Sequence, residues 1–269
     1  MSASSGNENP FAPPKAAVLE AEAQAREGEE YVPDGQKVAT GRGMEWFGEA
    51  WTLFKAAPGT WVGMFVVFLL LSMVLAIIPM GSLASSLFYP AVVAGIMLGC
   101  RSLEEGGPLE LAHLFAGFKE NLGSLVLVGV LYLVGVMLIG FMVGIAAVFM
   151  IPSMMGKNFD GSDVENVLSM LPYFLLIVLV VTALMLPLIM ALWFAPAIVV
   201  FHDVQPMAAM KSSFSGCLRN MLPFLLYGVV GLLLGILAII PLGLGMLVLG
   251  PVMWGTMYVG YRDIFVRRT

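Results

Sequence analysis

Charge is what this sequence has least of. Asp, Glu, Lys and Arg together make up 12% of its 269 residues, where a soluble chain carries about a quarter. With an apolar share of 59% and a mean hydropathy of +0.93, that shortage excludes an ordinary water-soluble domain. Histidine and cysteine are as scarce, with 2 of each. No ligand set is therefore spaced for a structural zinc, and neither a metal nor a cofactor is expected. No short apolar leader with a small-residue cleavage site precedes the first long apolar run, so that run is expected to act as its own targeting signal.

The missing charges leave long uncharged runs. About twenty apolar residues suffice to cross a bilayer as a helix. Runs near that length lie at roughly 61–80, 82–100, 123–151, 171–200, 221–240 and 243–261, and none contains an Asp, Glu, Lys, Arg or His. The expected fold class is all-α, a polytopic transmembrane helical bundle of six spans. Of the 13 basic residues, Lys15, Arg26, Lys37, Arg42, Lys55, Arg101, Lys119, Lys211, Arg219, Arg262, Arg267 and Arg268 fall on one side of that topology, and Lys157 alone on the other. Basic residues stay on the cytoplasmic side, so a bacterial inner-membrane protein with both termini cytoplasmic is expected. Cys100 and Cys217 then share a reducing compartment, where a disulfide is not expected. The net charge of −5 comes largely from the N-terminal tail and supplies no basic face for a nucleic-acid partner.

Residues 1–43 read as a disordered cytoplasmic tail. "NPFAPPKAAV" is extended by its prolines, and "LEAEAQAREGEE" has no apolar stripe to dock. The tail is either a solubilising leader or a peptide that a partner recognises. Residues 44–262 form the membrane domain, and 263–269 a cytoplasmic C-terminal tail.

Within the membrane domain one passage occurs twice. "AIIPMGSLASSLFYPAVVAGIMLGCR" begins at Ala76, and "AIIPLGLGMLVLGPVMWGTMYVGYR" at Ala238. Three copies of a unit account for it, at about 44–104, 105–204 and 205–262. Each unit is an amphipathic helix followed by a transmembrane hairpin, and all three run in the same direction. The amphipathic segments are "EWFGEAWTLFKAAPG", "PLELAHLFAGFKENLG" and "PMAAMKSSFSGCLRNMLP". Leu111, Leu114, Phe115, Phe118 and Leu122 form a helical stripe in the second, as do Met210, Phe214, Cys217, Leu218 and Met221 in the third. The second unit is stretched by the outer loop "SMMGKNFDGSDVENVLSM" and by a fourth apolar run too long for one straight helix. A bend is expected there near Pro187 or Pro196.

Four groups of residues could carry function. Ser82, Ser85, Ser86 and Tyr89 fall at i, i+3, i+4 and i+7, a polar stripe that either lines an outward-facing cavity or packs against other helices. Pro90, Pro187, Pro196 and Pro251 interrupt helices and free backbone carbonyls, as the broken helices of transporters do. Ala91/Gly95/Gly99, Gly140/Gly144 and Gly231/Gly235 are small-residue faces for helix packing, within the chain or with other membrane proteins. Trp46, Trp51, Phe54, Lys55, Phe115, Lys119, Phe214 and Arg219 suit an interfacial position against membrane lipids.

The absence of ionisable groups from every run disfavours a proton- or ion-coupled pump. Catalysis is not expected either: His113 and His202 stand at amphipathic or helix-start positions, and "HDVQP" reads as a helix start with Pro206 in the first turn. No Ser or Cys nucleophile has a base at motif spacing. Glu104, Glu105 and the cluster Asp160/Asp163/Glu165 read as loop charges. The twenty methionines, including Met150, Met154 and Met155, read as flexible apolar filler rather than a copper site.

The tail "NPFAPPKAAV" and the passages "GMEWFGEAWTLFKAAPGTW", "WFAPAIVVFHDVQPMAAMKSSFSGCLRN" and "YRDIF" together resemble an uncharacterised family of six-helix inner-membrane proteins of proteobacteria. More distantly, the repeated unit is similar to the membrane domain fused to some glycerophosphodiester phosphodiesterases, whose catalytic domain is not represented here. The resemblance implies location and fold and carries no activity. The expected function is that of a non-enzymatic multi-pass inner-membrane protein, an accessory or scaffold component that contacts lipid. The alternative is a passive transporter or channel for a small or lipidic solute.

Overall fold

The computed structural model describes residues 29–155 and 164–268. Residues 1–28 of the expected disordered tail (1–43) and the central part of the outer loop, with Lys157, Asp160 and Asp163, lie outside the described residues.

The chain begins with a short strand, β1 (Glu29–Tyr31), and then α1 (Arg42–Ala56), α2 (Pro58–Ile77) and α3 (Gly81–Glu104). A 3₁₀ segment (Leu111–Phe118) leads into α4 (Leu122–Met155), α5 (Val164–Trp193) and the short α6 (Ala195–His202). The last elements are α7 (Pro206–Arg219), α8 (Met221–Ile239), α9 (Met246–Phe265) and β2 (Val266–Arg268). The chain is thus a helical membrane bundle rather than strictly all-α, because β1 and β2 pair antiparallel with Glu30 opposite Arg267.

Five stretches are long and apolar enough to cross a membrane: Pro58–Ile77, Gly81–Glu104, Leu122–Ala146, Met170–His202 and Met221–Ile239. The sixth expected span, α9, is not among them. Its 20 residues include Thr256, Tyr258 and Tyr261 and, in the last turn, Arg262 and Asp263, which dilute its apolar character. Much of its inner half is buried in the protein. The second amphipathic segment also differs from expectation, being 3₁₀ rather than α-helical.

The segment approaches α3 backbone to backbone. A Cβ at Gly117 would overlap the Ala91 carbonyl oxygen, and one at Gly95 would overlap that of His113. The small-residue face Ala91/Gly95/Gly99 therefore receives the 3₁₀ segment, not another spanning helix. The faces Gly140/Gly144 and Gly231/Gly235 take no such partner: added Cβ atoms at 140, 144 and 235 would meet nothing within 4 Å.

Around the bundle α8 packs on α9, α9 on α2, α2 on α3, α3 on α4 and α4 on α5. The amphipathic segments lie across the helix ends on the side of the bundle where β1 and β2 pair, called the inner end: α1 on α9 and α8, the 3₁₀ segment on α3, and α7 on α5 and α6. The core sits at this end. Trp46, Trp61, Met64, Ile96, Met97, Phe194, Ile198, Ile264 and Phe265 are fully buried there. The outer halves carry large exposed apolar side chains, such as Met73, Ile77, Met137, Phe141, Leu179, Leu232 and Ile239. Such surface is stable only in lipid or against another apolar surface.

The end of the tail is built into the fold. The last carbonyls of a helix have no intrahelical donors, and at the inner end of α9 residues 32–36 supply them. Val32 N–H donates to the Phe265 carbonyl and Gln36 N–H to that of Ile264. The Gln36 side chain donates to the Asp263 carbonyl at 2.7 Å. The buried Asn220 holds the other side of this strap, accepting from Val38 N–H at 2.8 Å and donating to the carbonyls of Gln36 at 2.9 Å and Gly216 at 2.8 Å. Residues 29–43 are therefore ordered, and residues 263–268 are helix end and strand rather than a free tail.

Candidate functional site

Two features stand out: a polar lattice on the inner face and a groove between two diverging helices. The lattice is built from α1, α3 and α9. Arg42 reaches Asp263 at 2.6 Å through Nε, Glu45 at 2.6 Å and Glu49 at 2.7 Å. The Trp46 indole N–H donates to the same Asp263 oxygen at 2.8 Å. Arg262 pairs with Glu49 and, at 2.5 Å, with Glu104, whose other oxygen accepts from Tyr258 OH at 2.5 Å. Glu104, read from sequence as a loop charge, is thus the last residue of α3 and ties that helix to α9. Burial alone would lower the Arg42 pKa, but Asp263, Glu45 and Glu49 outweigh it and hold the guanidinium charged above its ordinary range.

Arg101 pairs with Glu29 at 3.1 Å and with Glu105 at 3.4 Å, and lies over the Phe201 ring at 4.4 Å. His202 meets Tyr261 OH at 2.5 Å and stacks on Tyr31 at 4.2 Å. Among the described residues no buried side-chain nitrogen or oxygen lacks a hydrogen-bond partner, and no cluster of three His, Cys, Asp or Glu is arranged to hold a metal. This lattice ties elements together.

The prolines act unequally. Pro90, Pro187 and Pro251 sit inside α3, α5 and α9, which continue through them. The break falls at Phe194, with Pro196 in the first turn of α6. A hydroxyl from another helix holds the break open. Phe194 N–H donates to Ser213 Oγ at 2.9 Å, and Ser213 Oγ donates to the Met190 carbonyl at 2.6 Å. The i to i−4 bond of a continuous helix is replaced by an inserted side chain, a recognised cause of kinks. Cys217 points at the same carbonyl, at 3.6 Å. Burial pushes its thiol up to about 12, against a smaller lowering by Ser213, so it stays protonated at physiological pH.

Below that break α5 and α8 part. At the inner end the Trp193 ring touches Phe224 and Tyr227, with centroids 6.4 and 6.3 Å apart. Between the two helices lies a groove of about 490 Å³ lined by Leu186, Ile189, Met190 and Trp193 on one wall, Met221, Leu222, Phe224, Leu225, Tyr227 and Gly228 on the other, and Cys217 at its floor. Its size is that of a small-ligand site, and its lining is almost wholly apolar. Tyr227 also reaches inward, meeting Thr256 at 3.0 Å.

On the α3 stripe, Ser86 Oγ donates to the Ser82 carbonyl one turn back, at 3.0 Å. Ser82 and Tyr89 are exposed, and Ser85 and Ser86 half-buried.

The expected interfacial residues divide. Trp51 and Phe115 are exposed, as are Lys55 and Lys119, while Phe214 is half-buried. Trp46 and Phe54 are corrections: Trp46 is 1% exposed and packs on Phe224 and Tyr227 at 5.4 and 5.9 Å, and Phe54 lies buried beneath Trp51. Both fall on the inward face of α1. Arg219 gives its charge to the strap, donating to the Gly35 carbonyl at 3.0 Å and facing Asp34 at 3.6 Å.

Sequence reasoning missed Ser213, Glu49 and Asp263. Ser213 had a legible signal, a polar residue on the stripe shared by Met210 and Cys217. Glu49 and Asp263 had none beyond their charge.

The chain is similar to a probable inner membrane protein of Burkholderia thailandensis, 29% identical over 205 residues that cover 72% of this chain and 73% of that one. No family model and no solved structure matches, so the likeness to the membrane domain of glycerophosphodiester phosphodiesterases finds no counterpart. The relative's name gives a location and no activity.

Proposed function

We propose that this multi-pass inner-membrane protein is a non-enzymatic scaffold that holds lipid in the groove between α5 and α8. The groove carries the reading. Its walls are apolar, it lies between two helices that are long enough to span the bilayer, and the Trp193 ring meets Phe224 and Tyr227 beside it. An acyl chain matches that lining, and a hydrophilic solute does not.

The finer architecture belongs to the same proposal. α9 serves as the sixth span, completing three parallel units of amphipathic segment and hairpin around an axis normal to the membrane, with both termini cytoplasmic. The arrangement of inner helix ends supports it, since each amphipathic segment packs on an even-numbered span of the preceding unit, α1 on α9, the 3₁₀ segment on α3 and α7 on α5. A second reading, a passive carrier of a lipid-like solute, draws on Tyr227, which lines the groove and faces the bundle interior.

In nanodiscs containing phosphatidylcholine with a photoactivatable acyl chain, Met190, Cys217 and Tyr227 become labelled alongside the outward-facing Leu232 and Ile236. Labelling confined to Leu232 and Ile236 would show that no chain enters the groove.

A further inference from the structure

The cations of the described side chains divide by type. Among the described residues Arg42, Arg101, Arg219, Arg262 and Arg267 all make ion pairs. Lys37, Lys55, Lys119 and Lys211 make none, and all four are exposed. Three of these lysines fall one to each amphipathic segment: Lys55 in the last turn of α1, Lys119 capping the 3₁₀ segment, and Lys211 midway along α7.

In every case a large apolar side chain stands exposed four residues earlier. Trp51 precedes Lys55 at 44% exposure, Phe115 precedes Lys119 at 43%, and Met207 precedes Lys211 at 64%. Each segment adds a second exposed apolar residue, Met44, Leu111 and Leu218 respectively. None of these six residues belongs to the buried core.

We propose that these three pairs, Trp51/Lys55, Phe115/Lys119 and Met207/Lys211, form a collar that binds the phosphates of anionic phospholipids in the cytoplasmic leaflet. The inference rests on the reading above that the amphipathic segments lie at the cytoplasmic interface. An apolar residue inserted below the headgroups with a lysine one turn on is the arrangement of an interfacial helix, and the long lysine stem lets the ammonium rise to the phosphate while its methylenes stay in apolar surroundings. Arginine in the fold is committed to carboxylates, which its planar fork fits. The compact ammonium of lysine is left for the membrane surface, where each such charge contributes through the negative surface potential. Topology alone calls for basic residues on this side, but not for an unpaired one beside an exposed apolar residue in every unit.

The test uses the full chain in bilayers of phosphatidylcholine with spin-labelled phosphatidylglycerol or spin-labelled phosphatidylcholine as probe. The wild type retains the phosphatidylglycerol probe at its surface in preference to the phosphatidylcholine probe, and 0.5 M salt suppresses the preference, since it shortens the screening length to about 4 Å or less. Substituting K55Q, K119Q and K211Q together brings the ratio close to one, a loss of up to about fivefold per lysine at low salt. The corresponding arginine substitutions keep it. Because the three lysines make no ion pair in the fold, the glutamine variant keeps the wild-type thermal midpoint. An unchanged preference in that variant, or no preference in the wild type, overturns the collar. Photolabelling of Met190 and Tyr227 by phosphatidylcholine does not depend on the lysines, so failure of the collar and failure of the groove are told apart.

Discussion

Replacing Gly117 by valine destabilises the protein by about 3 kcal/mol or more, the upper end of what overpacking costs when backbone must move. The obstacle is main chain on both sides: a Cβ at 117 overlaps the Ala91 carbonyl oxygen and stands 3.0 Å from Gly95 N. No rotamer of a neighbouring side chain relieves it. The 3₁₀ segment must lift from α3, which uncovers Leu114 and the buried run Ala91 to Cys100. Thermal or detergent-titration midpoints of the purified protein measure the loss. Gly140→Val makes the matched control, because a Cβ there meets nothing within 4 Å, and its effect stays within about 0.5 kcal/mol.

Ser213→Ala has the second largest effect. The hydroxyl bridges the buried Phe194 N–H and the Met190 carbonyl, and Cys217 stays within reach of that carbonyl. An unsatisfied buried backbone group costs about 1–3 kcal/mol, so the orphaned Phe194 N–H gives a loss of about 1–3 kcal/mol, read by the same midpoints. The substitution also bears on the groove. Its wall residues Met190 and Trp193 end α5 just before the break, so α5 loses the pin that sets its angle to α8. Photolabelling of Met190 and Tyr227 falls with the stability. If Ser213→Ala were neutral, the break would be held by Pro196 alone.

The fold was legible where one physical demand dominates. Uncharged runs announce membrane helices, because lipid requires every backbone group to be satisfied within the segment. Pro206 at a helix start and the small-residue run on α3 could likewise be read directly. The hidden parts depend on pairings across the chain. Residues 29–43 look like tail because their composition is polar, yet their function is to supply donors to the carbonyls of α9, more than two hundred residues away. Trp46 and Trp51 sit on one helix and look alike in sequence; the five-residue offset between them puts one in the core and one at the surface. α9 was read as a span from its lack of charge up to Tyr261, although its polar tyrosines and its last turn with Arg262 and Asp263 fit it to protein contact as much as to lipid.

The candidate site divides the same way. Helical spacing puts Ser82, Ser85, Ser86 and Tyr89 on one stripe of α3, two of them exposed and two half-buried in the fold, whereas the apolar groove left no mark, since nothing in a uniformly apolar sequence shows where a gap lies between two helices. The prolines pointed to the broken helix but not to the residue that holds it. The lysines and arginines were grouped together as basic, and only their partners in the folded chain separate them.

The central claim is that the inner half of the bundle is a closed, packed body and that the protein acts on lipid from its side. Unilamellar proteoliposomes loaded with a small anionic dye and potassium test it most directly. Efflux of both is followed against protein-free vesicles, with one protein in each vesicle on average. The account predicts equal rates, because among the described residues Trp61, Met64, Ile96, Met97, Phe194, Ile198, Ile264 and Phe265 pack as one fully buried layer at the inner end. Protein-dependent release of either solute would contradict it and make the chain a channel.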